Sequence, residues 1–553
     1  MRLSKKVVYQ LYPKSFKDTT GNGMGDLRGI IEKLDYLAGL GIDLIWLNPF
    51  YPSPQHDNGY DISDYCAIDP AFGTMADFEE LVAEADKRGI GLMLDMVLNH
   101  VSTEHEWFKK ALAGDPKYQA YFYLRPAKAD GSLPTNWESK FGGPAWERFG
   151  DSDLYYLHLY DVTQADLDWH NPQVRQELHQ VVNFWRQKGV KGFRFDVLNV
   201  IGKSEELVDS QAPGSSQEKS LYTDTPIVHT WIRELNQATF GQDQEIVTVG
   251  EMSSTTIENG ISYTNPKDQE LSMIFSFHHL KVDYKDGEKW SNPAFDFLEL
   301  KRILDEWQTG MSDGQGWNAL FFNNHDQPRS NSRFGDVVNY PYQTQTLLAT
   351  VTHLLRGTPY MYQGEEIGMT NPGYQELTQY NDVETHNNYQ IMREKGYSHE
   401  KAMAIIQAKS RDNSRTPMQW DGTAHAGFTK ATPWLEVAAN YPTINVEKEL
   451  AEGKIYAYYQ ELIRLRKDYD VISDGTYSGL FLDHPSIMGF LREYEGQQLL
   501  VLGHFYDGNV EIELPQAFRG RTATKLIGNG PVQYAEGLTL GPYEAVAFLF
   551  EAE

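Results

Sequence analysis

The sequence predicts an α/β protein in three parts: a (β/α)₈ barrel of residues 1–100 and 169–470, a subdomain of residues 101–168 inserted after the third strand, and a C-terminal antiparallel β-sandwich of residues 471–553. Three observations carry this. Eight short apolar runs alternate with stretches of helical periodicity, the pattern of a parallel barrel. The alternation stops between His100 and about Asp168, where the chain is rich in Trp, Tyr, Pro and Gly. After about Asp470 it gives way to alternating runs separated by Gly, Asn and Pro.

The eight strand-like runs are residues 7–12, 44–47, 91–97, 192–196, 246–250, 272–277, 319–323 and 359–362. Each is apolar and mostly β-branched or aromatic, as strands buried on both faces are. The helix expected over 171–188 shows how the units connect. Asn171 caps it, Pro172 suits its first turn, Leu178, Val181, Val182 and Trp185 form one stripe, and Gly189 stops it. Residues 74–89 repeat the arrangement, with Thr74 as cap, Asp77 in the first turn and Phe78, Leu81, Val82 and Ala85 apolar. The aperiodic stretch after the third strand is too long for an ordinary loop and is placed to wall a cleft at the strand ends. The runs 499–502, 511–514 and 545–550 alternate as sandwich strands do.

Length and composition fit a large folded enzyme, since 553 residues with 41% hydrophobic content bury more than one core. Aromatic residues make up 13%, with 33 Tyr and 12 Trp, enough to furnish sugar-stacking platforms as well as cores. Cys66 is the only cysteine, so no intrachain disulfide forms. The N-terminal residues run into a strand without an apolar signal segment, which leads us to expect a cytoplasmic protein. A formal charge of −28 disfavours nucleic acid as partner, and no apolar run approaches the roughly 20 residues that span a bilayer.

Three strand-like runs end in acids: Phe193-Arg194-Phe195-Asp196, Val249-Gly250-Glu251 and Asn324-His325-Asp326. A barrel projects its catalytic groups from the carboxyl ends of different strands, so these acids converge although far apart in sequence. Any one of them alone would read as a helix cap or a surface charge. Together they read as a glycosidase site.

Asp95-Met96-Val97-Leu98-Asn99-His100, Gly192-Phe193-Arg194-Phe195-Asp196, Gly250-Glu251 and Asn324-His325-Asp326 resemble, in order, the four signature regions of the α-amylase superfamily. The resemblance covers essentially the whole chain. It extends to the oligo-1,6-glucosidase group through Asp57-Asn58-Gly59-Tyr60-Asp61, the stretch from Gln363 to Met369 and the stretch from Ser410 to Trp420. Within that group, the stretches from Gly250 to Thr255 and from Phe275 to Tyr284 are similar to the branch that acts on trehalose 6-phosphate.

The resemblance implies Asp196 as nucleophile, Glu251 as general acid/base and Asp326 as the carboxylate that binds the sugar and stabilises the transition state. Arg194 would share the strand face of Asp196 and favour its ionised form. His100 and His325 resemble histidines that hydrogen-bond the glucosyl hydroxyls. Asp57 and Arg411 match a pair that closes the pocket behind a non-reducing glucosyl unit, with Tyr60 beneath the ring, which implies exo action. Val197 stands where relatives that cleave α-1,4 links tend to carry Thr.

Lys281, Lys285 and Lys289 recur every four residues, with His278 and His279 just upstream. A dianionic phosphate needs such a local positive patch in an acidic protein. His279, Lys281 and Lys289 are the candidate phosphate ligands, Lys281 foremost; a solvated lysine face is the competing reading. Asp18, Thr20, Asn22, Met24 and Asp26 resemble the group's calcium loop. With Thr20 and Asn22 where relatives often carry Asn and Asp, three readings stay open: weakly held calcium, magnesium in its place, or a glycine-stabilised turn without metal. Any metal would be structural, since the chemistry requires no cofactor.

The expected activity is hydrolysis of a small-molecule disaccharide phosphate, trehalose 6-phosphate, to glucose and glucose 6-phosphate. The same-fold alternative is an oligo-1,6-glucosidase or dextran glucosidase acting on neutral isomalto-oligosaccharides. A transglycosylase or sucrose isomerase would use the same carboxylates. A non-catalytic interaction protein on this fold should lack some of the acids and carry a membrane segment. Nothing in the sequence bears on oligomeric state.

Overall fold

The computed structural model describes residues 2–551; Met1, Ala552 and Glu553, which the domain expectations include, lie outside the described residues. Eight parallel strands form the barrel: β1 (Val8–Leu11), β2 (Leu44–Leu47), β3 (Gly91–Met96), β4 (Gly192–Phe195), β5 (Val247–Glu251), β6 (Met273–Phe275), β7 (Ala319–Leu320) and β8 (Thr358–Tyr362). Their order is β6-β5-β4-β3-β2-β1-β8-β7. A parallel bridge from Ile274 to Asn318 joins β6 to the entry of β7 and closes the ring. Nearly every strand residue is buried, because side chains on one face fill the barrel and those on the other meet the helices.

The connecting helices form for the reasons legible in their sequences. Met75–Lys87 begins in a capping box between Thr74 and Asp77 and buries Phe78, Leu81 and Ala85. Pro172–Gln187 begins with the Asn171 side chain accepting from the Gln173 N–H and buries Val174, Leu178, Val181, Val182 and Trp185. Gly189, at φ +91°, then turns the chain toward β4, a conformation that only glycine adopts without strain.

Two strands fall to half their expected length or less. β6 spans Met273–Phe275 and β7 only Ala319–Leu320. Residues 321–326 leave the ladder, so Asp326 sits in a turn well beyond its strand rather than at its end.

Between β3 and β4, His100–Ser102 pairs antiparallel with Gln164–Asp166, and Leu124–Pro126, Leu154–Leu157 and Trp146–Arg148 form a small sheet. Tyr123, Trp137, Trp146 and Leu157 make a separate apolar cluster that includes Val197 and Val200. This packing presses the excursion onto the segment just after β4.

At the C-terminus a five-stranded antiparallel sheet faces a two-stranded one. Alternation divides its strands: Leu500, Leu502, Val546 and Phe548 pack between the two sheets, whereas Leu499, Val501, Ala547 and Leu549 join the barrel core. Two buried guanidiniums secure the seam. Arg466 and Arg492 donate to the carbonyls of His353, Leu354 and Leu355, the unsatisfied end of the helix Pro341–Leu354.

Candidate active site

Arg194 organises the centre. It points inward from β4, has no exposed surface, and its guanidinium spans three carboxylates. Nη1 donates to Asp95 Oδ1 at 2.8 Å and to Asp196 Oδ1 at 2.6 Å, and Nη2 donates to Glu251 Oε2 at 2.5 Å. Asp196 follows β4 directly and its N–H donates to the Met96 carbonyl, which fixes its position. Val197 then turns at φ +39°, ψ +41°. A β-branched residue resists that left-handed conformation, and such strain collects at functional sites. Its outcome here is an N–H placed 3.3 Å from Glu251 Oε2.

The three acids differ in charge because their surroundings differ. Burial pushes Asp196 up to about 6, with Arg194 and a hydrogen bond from Glu251 holding it down. Burial pushes Glu251 up to about 8, and the charges of Asp196 and Asp326 add to that while Arg194 opposes it. Burial also disfavours the Asp326 anion, but contact with His325 and the guanidiniums of Arg411 and Arg415 hold it well below the usual carboxylate range. Arg415 Nη2 lies 2.7 Å from Asp326 Oδ1. Near neutral pH the set therefore presents two anions and one proton donor, the division that acid-assisted nucleophilic displacement at a sugar carbon requires.

Around the acids the structure assembles a pocket wall held by ion pairs and hydrogen bonds. Arg411 Nη2 donates to Asp57 Oδ1 at 2.9 Å, and Gln164 Nε2 donates to Asp57 Oδ2 at 2.9 Å. Arg411 also reaches Asp382, Glu384 and, at 3.4 Å, Asp326. The Tyr60 ring stacks on His325, with centroids 5.2 Å apart and planes within 9°, and its hydroxyl donates to Asp95. Gln10 Nε2 lies 2.8 Å from His325 Nδ1, which places the ring proton on Nε2. That Nε2 has no hydrogen-bond partner among the described residues, an orphaned donor beside Asp326. His100 is buried and kept neutral, lowered to about 4, with its Nε2 near the Tyr60 carbonyl and Gln164.

Outside this pocket a cavity of about 1120 Å³ opens past Ser253 and Ser254, which follow Glu251 in the chain. Lys281 lines it and donates to Ser254 Oγ at 3.2 Å. Lys289 lines it too, but ion-pairs with Glu384 at 2.7 Å, so its charge is already neutralised. His279 does not reach the cavity. It lies in a short 3-10 turn, packs against Phe321 and Phe322, and binds the Phe321 carbonyl through Nε2; burial lowers it to about 4, leaving no charge for phosphate. The four-residue spacing of Lys281, Lys285 and Lys289 also fails as a signal, because no helix spans them to align their side chains.

The residues of the expected cation loop do not fit a metal. Asp18 accepts hydrogen bonds from the N–H groups of Thr20, Gly21 and Gly23 and from Thr429, Asp26 accepts from Thr19 and Gly29, and Asn22 accepts from Met24. Donor hydrogens thus face the oxygens that a hard cation would need. No group of three or more His, Cys, Asp or Glu poised for a metal occurs among the described residues.

The family profile described as "Alpha amylase, catalytic domain" matches residues 10–475, and that described as "Maltogenic Amylase, C-terminal domain" matches residues 478–546. The chain belongs to the α-amylase family. It is 50% identical over 549 residues to the trehalose-6-phosphate hydrolase of Bacillus subtilis (strain 168), covering 98% of this chain and 97% of the relative. It is 44% identical over 551 residues to an oligo-1,6-glucosidase of Bacillus cereus, covering 98% of each. The crystal structure of Bacillus licheniformis trehalose-6-phosphate hydrolase superposes with a TM-score of 0.94 at 50% identity, covering 99% of both chains.

Several residues of this α-amylase-family site escaped the sequence reading. Asp95 carried a usable signal, being a fourth acid near a strand end. Arg415 sits in a motif quoted only for Arg411. Gln164, Asp382 and Glu384 had none, since they come from stretches without barrel periodicity and reach Asp57 and Arg411 only through the fold.

Proposed function

We propose that this enzyme is a retaining hydrolase that splits trehalose 6-phosphate into glucose and glucose 6-phosphate. Asp196 is the nucleophile, Glu251 the acid/base, and Asp326 the carboxylate that holds the glucosyl ring and stabilises the oxocarbenium-like transition state. The Asp196 carboxylate bonds to the anomeric carbon as the glycosidic bond breaks and Glu251 gives its proton to the departing oxygen. Glu251, now ionised, takes a proton from water, whose oxygen attacks the same carbon and releases Asp196. Asp57 and Arg411 close the pocket behind one glucosyl unit, so the enzyme removes terminal units. His325 Nε2 is placed to donate to a sugar hydroxyl.

The observation that carries the substrate is the outer cavity, whose wall carries Lys281 beside Ser253 and Ser254, two and three residues after Glu251, in a protein of charge −28. The similarity to trehalose-6-phosphate hydrolases supports the same reading. The 44% identity to an oligo-1,6-glucosidase supports neutral isomaltose as the second reading. Initial rates on trehalose 6-phosphate, trehalose and isomaltose, with products identified, decide between them. Preference for the phosphorylated sugar by at least tenfold is expected; preference for isomaltose would overturn the proposal.

The acid environments predict a bell-shaped pH dependence of kcat/KM. Below about 6 Asp196 takes up a proton and ceases to be a nucleophile; above about 8 Glu251 loses the proton it must donate. A neutral aryl α-glucoside keeps the phosphate's own ionisation, near pH 6, out of the profile. With an activated leaving group, Glu251→Gln should lose the alkaline limb. Persistence of that limb would show that another group sets it.

A further inference from the structure

Three lysines from separate stretches of chain converge on the outer cavity: Lys140 from the excursion after β3, Lys219 from the connection between β4 and β5, and Lys281 after β6. Of the other lysines on its wall, Lys128 pairs with Asp209 at 2.5 Å and Lys289 with Glu384, while Lys395, at the C-terminal end of the helix Val383–Glu394, has no ion pair among the described residues. Lys140, Lys219 and Lys281 have no carboxylate within ion-pair distance among the described residues, in a chain with 77 acidic and 49 basic residues. Lys140 is partly covered, with its ammonium 5.4 Å from the Tyr160 ring and 5.6 Å from the Tyr222 ring. Burial, with Lys219 as a like-charged neighbour, lowers both Lys140 and Lys281 to about 8. Ser254, held at φ +62°, presents its hydroxyl to Lys281 from the same wall.

Like charges gathered without a directly paired carboxylate repel one another, and although Glu251 offsets part of this at Lys140, a dianion placed among them relieves more of it. Resting on the substrate reading above, we propose that Lys140 and Lys219 join Lys281 as a three-sided clamp for the phosphate of the leaving sugar. Lys140 and Lys219 are then specificity-determining residues. Neither stands in a motif that the sequence singles out. The clamp closes only when the subdomain, the β4–β5 connection and the β6 loop are all in place. The β6 loop owes its position to Asp283, which forms ion pairs with Arg333 at 2.6 Å and Lys409 at 2.5 Å.

The test compares wild type with Lys140→Ala and Lys219→Ala on trehalose 6-phosphate and on a neutral aryl α-glucoside, together with competitive inhibition by glucose 6-phosphate and by glucose. Each variant should lower the ratio of kcat/KM for phosphosugar over aryl glucoside by about 10- to 100-fold, chiefly through KM, as loss of a charged hydrogen bond implies. Inhibition by glucose 6-phosphate should weaken in step, while inhibition by glucose moves less. Lys140→Arg and Lys219→Arg should restore most of the ratio. Turnover of the aryl glucoside reports folding, and Lys140→Met keeps the packing of the stem should the alanine variant fail to fold. Ratios and inhibition within twofold of wild type would overturn the clamp while leaving the substrate reading intact. A wild-type enzyme without preference for phosphate would instead overturn that reading, and the clamp with it.

Discussion

Asp196→Ala should reduce kcat on every glucoside by a factor on the order of 10⁴ or more, with the folded structure retained. Alanine removes the only oxygen nucleophile on that face of the anomeric carbon, and nothing else on β4 replaces it. Arg194 stays compensated by Asp95 and Glu251, so the buried cation is not stranded. The stereochemistry of rescue makes the assignment testable beyond mere loss. Azide admitted to the vacated space attacks an activated α-glucoside directly and leaves a β-glucosyl azide. In the acid/base variant Glu251→Ala, azide would replace water in the second step and give the α-anomer. An α-glucosyl azide from Asp196→Ala, or a loss below 10²-fold, would remove Asp196 from its role.

The barrel was legible because each of its units repeats one local logic: a capped amphipathic helix, a glycine stop and a short apolar strand. The helix at Asn171 and the box at Thr74 needed no tertiary information. The acids were legible for a related reason, since a barrel converts strand ends into neighbours and Asp196 and Glu251 lie at such ends. Asp326 shows where that logic weakens, because β7 lasts two residues and the turn beyond it carries the acid. His279 shows where it fails: a 3-10 turn directs the ring beneath the cavity toward Phe321, an orientation that residue spacing does not encode. Lys289 is a different case. Its place on the cavity wall was anticipated, but Glu384, about a hundred residues away in sequence, cancels its charge. Lys140 and Lys219 lie in stretches without periodicity, and only the folded chain makes them neighbours of Lys281.

Arg194→Met should be the most damaging change to a residue outside the bond-making chemistry. The substitution keeps apolar volume but strands three buried carboxylates that now share one guanidinium. Arg194 holds Asp196 down against burial, so removing it raises the Asp196 pKa further above about 6, by roughly 1–3 units. The acid limb of kcat/KM should move to higher pH by that amount, and turnover at pH 7 should fall by up to about 100-fold, equivalent to about 2.7 kcal/mol. Stability should follow the same sign. A carboxyl with its folded pKa above the unfolded value binds more protons when folded, so it destabilises the fold increasingly as pH rises toward the folded pKa. The Tm deficit of Arg194→Met should therefore be larger at pH 8 than at pH 5, and breaking such a buried network costs about 3–5 kcal/mol where the acids stay charged. Arg194→Lys retains one charge but cannot fork across three acids, so it should recover more Tm than kcat. A Tm deficit independent of pH, or an acid limb that stays at wild-type pH, would mean that Arg194 only fills space and that another group keeps Asp196 ionised.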